Sequence, residues 1–195
     1  MSMKDRLRRQ LESSRNMSEK MLADFKTPQQ WTHQVFEGGN HALWFAGHVA
    51  YSDNFFLSLV APEKTIEKEG YGNLFGMGSH PTGNAEDYPP VDEVLSFMRE
   101  RRQALLDALE EKDEESFNLT LPDGTPDFLS DIASVFETAI WHEGMHCGQL
   151  SVVRRALGHR PVMSAPQTAS YIENEMLDST LPMLPEAFVP HRGIK

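Results

Sequence analysis

Residues 141–150 read WHEGMHCGQL. His142 and His146 stand four apart, so on a helix they share one face, about 40° apart at about 100° per residue. On the same helix Gln149 falls beside them, and Val135, Ala139, Val153 and Leu157 lie within about 60°. The histidine pair therefore sits in the apolar, core-facing stripe of a long helix. Glu137 and Arg154 point elsewhere and are expected at the surface. This helix is expected over about 127–157, stopped by Gly158.

Three further segments share its periodicity and almost nothing reads as strand. The first spans about 3–25, with Leu7, Leu11, Ser14, Met21 and Phe25 near one stripe, and Thr27-Pro28 as the turn that ends it. The basic residues between Lys4 and Arg15 read as its solvated face. A second helix spans about 41–60, with Asn40 as its expected N-cap. A third covers about 91–112. Four long helices predict an all-α four-helix bundle with one or two crossover connections. The organisation expected is a single domain over 1–195, its bundle at about 3–158 and a C-terminal tail at 159–195. The Gly- and Pro-rich residues 61–90 between helices two and three are too long for a plain connection and read as a lid, binding loop or disordered segment. His80 and Tyr71 are the lid candidates there, and one short helix is expected in the tail near 169–176.

The second helix repeats the oddity of the fourth. His41, His48 and Phe55 align on its apolar face, with Trp44 beside them. Buried neutral imidazoles need hydrogen-bond partners or a shared cation, and one ion meets the need of several at once. Three nitrogen donors leave coordination positions open to water or substrate, as in reactive sites, and suit Zn, Ni or Fe.

H-E-x-x-H is also the signature of zinc peptidases, with the glutamate activating water. The extended form of that motif requires glycine at 149 and histidine at 152, where this chain has Gln149 and Val152. Glu173 and Glu175 could supply a downstream carboxylate, but no helix pattern supports them, and no strand is there to hold a peptide. Glu143, rotated about 100° from His142, is a base candidate or a glutamate on a partly solvated face. Gln149 could hydrogen-bond a metal-bound water or make a helix-packing contact. Arg102, on the apolar stripe of the third helix, could bind a substrate carboxylate or snorkel to water. Tyr51, Trp44 and Phe55 could line a pocket, or pack as core. Cys147 lies about 140° off the ligand face and reads as a small core residue.

Residues 39–50, from Gly39 through Asn40 to His48 and Ala50, and residues 142–158, with His142, His146, Gly148-Gln149-Leu150 and Gly158, resemble the two signatures of the DinB-like superfamily. The resemblance implies a four-helix bundle with one divalent metal on His48, His142 and His146. It leaves His41 out of the ligand set. It also implies chemistry with a low-molecular-weight thiol cosubstrate such as mycothiol or bacillithiol, and a homodimer. The expected activity is that of a metal-dependent transferase or hydrolase, the alternative a non-catalytic metal- or ligand-binding protein.

Composition sets the outer limits. A net charge of −11 argues against nucleic acid, because phosphate binding requires a surplus of Lys and Arg; the small-molecule substrate expected is what the resemblance implies. No run approaches the length of a membrane span and no signal peptide is visible. The single Cys147 fits a reducing, cytoplasmic setting.

Overall fold

The computed structural model describes residues 1–163, of which Met1–Val162 form one compact unit. The expected tail helix near 169–176, with Glu173 and Glu175, lies outside the described residues. Four long helices dominate: α1 (Met3–Leu22), α3 (Ala42–Val60), α5 (Val91–Glu110) and α6 (Ile132–Ala156). Two short ones, α2 (Pro28–Trp31) and α4 (Tyr71–Phe75), lie in the connections. Among the described residues no strand forms, only an isolated antiparallel bridge between Thr120 and Asp131.

The helix ends follow local chemistry. Ser2 and Asp5 close a capping box on α1, and Asp131 and Ser134 close one on α6. That cap starts α6 five residues later than the expected 127. Gly158, at φ 82°, turns the chain out of α6 as expected. His41, not Asn40, is the N-cap of α3: its Nδ1 accepts from the Trp44 N–H at 3.1 Å. At Thr27-Pro28 the expected turn is a four-residue helix, capped by Thr27 with Pro28 at its first position.

The long helices form the expected bundle. α1 and α3 each pack on both α5 and α6, so α1 stands diagonally opposite α3, and α5 opposite α6. Two of the three links between consecutive long helices therefore cross a diagonal. The link from α1 carries α2, whose Trp31 enters the core, and residues 111–131 lead to α6.

Residues 61–90 are packed against the bundle. Tyr71 and Phe75 of α4 are core residues, so Tyr71 is no lid, whereas His80 is exposed. Gly47 makes the docking possible, because a Cβ there would lie 2.3 Å from the Phe75 ring. Gln34 Nε2 donates to Pro81 O at 2.9 Å and Thr32 Oγ1 to Gly83 O at 3.0 Å, tying the segment to the chain after α2.

The interior is two apolar clusters separated by a polar belt. One cluster joins Met21, Leu43, Phe75, Met98 and Val153, and the other joins Leu7, Leu57, Leu105 and Phe136. Between them each long helix turns charged or polar groups inward: Arg15 and Ser18, His48 and Asp53, Arg102, then Glu143 and His146. Arg15 is thus buried rather than part of a solvated face. Arg154 is also buried, paired with Asp24, where a surface residue was expected.

Candidate metal centre

α6 carries His142 and His146 one turn apart, and α3 brings His48 to meet them. His48 Nε2 lies 3.1 Å from His142 Nε2, and His146 Nε2 lies 3.2 Å from the same atom. Their donor atoms all fall within 4.8 Å of one another, so the three residues can hold a metal ion. Donors at the ~2.05 Å typical of zinc–imidazole bonds are about 3.3 Å apart along a tetrahedral edge. The two contacts are already close to that length.

The remaining ring nitrogens explain why these rings converge. His48 Nδ1 donates to Phe75 O at 2.6 Å, a carbonyl that can only accept. His146 Nδ1 donates to Gln149 Oε1 at 2.9 Å. Each proton held on Nδ1 leaves a bare lone pair on Nε2. His142 Nε2 therefore faces two acceptors. One N–H there can satisfy one of them and not both, whereas a cation satisfies all three. Burial, foremost, lowers the pKa of His48 to about 4 and that of His142 to about 3, with the neighbouring imidazoles adding to both; burial also lowers that of His146. The rings are neutral at pH 7, the state a metal requires.

Aromatic packing fixes the same rings. Trp44 stacks on His48 with centroids 4.3 Å apart and planes 13° from parallel, and meets His146 edge-on at 5.6 Å. Its Nε1 donates to Ser79 Oγ at 2.8 Å, so residues 61–90 support His48 through both Phe75 and Ser79. His48 and His146 are buried, whereas His142 is half-buried and marks the side where the cluster nears solvent.

Glu143, the glutamate of H-E-x-x-H, turns away from this centre. It is 1% exposed, not partly solvated, and binds Arg15 at 2.8 Å and Arg102 at 2.7 Å. Ser18 Oγ also donates to it at 2.6 Å. Burial opposes its charge, but Arg102 and Arg15 outweigh that and hold its pKa at about 2. Arg102 is 3% exposed and does not snorkel to water. Its guanidinium forks onto Asp53 at 2.9 and 3.0 Å, meets Glu143, and donates to Leu11 O and Ser14 Oγ. Four of these contacts are hydrogen bonds, and the one to Glu143, at 2.7 Å, is an ion pair. Arg15 bridges Asp53 and Glu143 as well. Two cations and two anions from all four long helices thus close a neutral network beside the histidines.

Of the other residues expected near a site, Trp44 is at the centre, but Tyr51 and Phe55 are 36% and 40% exposed, not core. Cys147 is half-buried, with Sγ 3.2 Å from Ser18 Oγ, and burial raises its pKa. His41 stays with its cap and is no part of the cluster. Asp53 escaped sequence reading: it follows His48 by five residues, and no helical period flags a single aspartate. Among the described residues, no helix is long and apolar enough to cross a membrane.

The family model described as DinB superfamily matches residues 10–150, so the chain belongs to that superfamily. No curated protein and no solved structure matches the chain.

Proposed function

We propose that this DinB-superfamily chain binds one divalent metal ion on His48, His142 and His146 and uses it as a metal-dependent transferase acting on a low-molecular-weight thiol. One observation carries the metal: three Nε2 atoms converge with no arrangement of protons that satisfies them all. The donor set is all imidazole, which suits Zn, Ni or Fe.

An ion bound there supplies Lewis acidity, drawing the pKa of a thiol or water at an open position toward neutrality. The chain's own residues favour the thiol. Glu143, the one carboxylate the motif offers as a base, is locked between Arg15 and Arg102 and points away from the histidines. Gln149 is engaged with His146 and carries no proton to exchange. A thiol ionises at about 8.5 and needs little help to lose its proton, whereas water at about 15.7 needs much more. Hydrolysis is therefore the second reading. A purely structural or storage site would be closed, and the half-buried His142 leaves this one a face toward solvent.

Elemental analysis of purified protein tests the metal: about one ion per chain is expected. His48→Ala, His142→Ala and His146→Ala should each abolish it. Metal content unchanged in all three refutes the site. Conjugation assays of the loaded protein with bacillithiol, mycothiol and glutathione on a small electrophile then test the activity. No turnover with any thiol, alongside ester or amide hydrolysis, reverses the order of the two readings.

A further inference from the structure

A histidine ligates through Nε2 only while its proton sits on Nδ1, and the hydrogen-bond partner of Nδ1 decides that. For His146 the partner is Gln149, whose two amide ends have nearly the same shape and opposite polarity. With Oε1 toward Nδ1, as at 2.9 Å here, the ring must donate and Nε2 is bare. With the NH₂ turned toward Nδ1, the ring must accept, and its proton moves to Nε2, where it blocks a metal. Asn40 Nδ2 donates to the same Gln149 Oε1 at 2.9 Å, from the turn just before α3.

We infer that Asn40 is a positioning residue for the metal: by donating to Gln149 it fixes the amide's direction, and with it the tautomer of His146. This rests on the three histidines being a metal site. The relay from Asn40 through Gln149 to His146 has two self-consistent polarities. In the one described, the Asn40 NH₂ and His146 N–H both point at one oxygen. In the reverse, the Gln149 NH₂ donates one hydrogen to Asn40 Oδ1 and the other to His146 Nδ1. An aspartate at 40 can only accept and enforces the reverse polarity. A glutamate at 149 can only accept and enforces the polarity described.

Asn40→Asp and Gln149→Glu are nearly isosteric and each adds one negative charge near the cation. A long-range charge effect moves metal affinity the same way in both. The relay moves it in opposite directions.

The experiment measures Zn²⁺ affinity by competition with a chromophoric chelator, and the imidazole tautomers of metal-free protein by nitrogen-15 NMR. Gln149→Glu is expected to bind as tightly as wild type or tighter, with the His146 proton on Nδ1. Asn40→Asp is expected to bind about 10–100-fold more weakly, the range for a lost partner of a ligand, with that proton on Nε2. Asn40→Ala, which frees the amide to turn, should fall between, and it carries the test if the aspartate variant folds poorly. Equal affinities in the two acidic variants, or a His146 proton that stays on Nδ1 in Asn40→Asp, overturn the inference. Should wild type take no zinc, the metal reading fails. The relay then stands or falls on the tautomer in Asn40→Asp alone.

Discussion

Glu143→Gln separates a glutamate that does chemistry from one that holds a fold together. The substitution removes a charge and almost no volume. Arg15 and Arg102, both buried, would be left sharing Asp53 alone, a net positive charge in a buried layer. Removing one partner from a buried ion network costs about 3–5 kcal/mol, because an uncompensated charge stays behind. For a chain of this size each kcal/mol shifts Tm by about 2–4 °C, so a fall of roughly 6–20 °C follows. Single domains are stable by about 5–15 kcal/mol, so the variant should remain folded at room temperature. The histidine cluster makes no hydrogen bond to Glu143, so zinc stoichiometry there should match wild type. Urea unfolding of the metal-free proteins and elemental analysis of the loaded ones provide the two readouts. A peptidase glutamate would behave in the opposite way, losing turnover with stability intact. Wild-type stability in Glu143→Gln would refute the structural assignment.

Gly47→Ala places a methyl group 2.3 Å from the Phe75 ring and must push α4 off α3, destabilising by about 1–3 kcal/mol. Because Phe75 O holds His48 Nδ1, zinc affinity should fall with it, as chelator competition would report. His41 supplies a pH signature. Burial lowers its pKa from 6.5 to about 4 in the folded chain, so the unfolded chain binds more protons between those values. Its contribution is complete above pH 6.5 and is lost as pH falls, by about 3 kcal/mol at pH 4. His41→Asn keeps a cap acceptor without the titration, and unfolding curves at pH 7 and pH 4 should show wild type losing that much more than the variant.

The apolar periodicity of the sequence locates the four long helices because each buries a stripe that a 3.6-residue repeat reveals. The pairing of His142 with His146 is legible for the same reason, being a spacing within one helix. The polar belt is not. Arg15 looks like one more basic residue of α1, Asp53 like a polar position in α3, and Glu143 like part of a motif. Only their meeting across four helices gives them meaning, and helical periods carry no information about which charges meet. Arg102 alone betrayed the belt, as a cation on an apolar stripe. Short α4 is invisible for a different reason: one and a half turns hold no measurable period, and Tyr71 and Phe75 are buried by what they dock against. The N-cap of α3 is His41 rather than Asn40, whose side chain reaches Gln149 instead.

The closure of the ion network by its own charges bears on the order in which the molecule is assembled. In a zinc finger the ion is what makes the chain fold, and removing it returns the chain to a coil. Here Arg15, Arg102, Asp53 and Glu143 lock the same layer of the bundle without any ion. A metal bound on the three histidines would meet a layer whose charges are already paired, and could leave or be exchanged without unpairing them. If the histidines take a metal, the identity of that ion would then be set by exchange with the surroundings rather than by the fold's need for it.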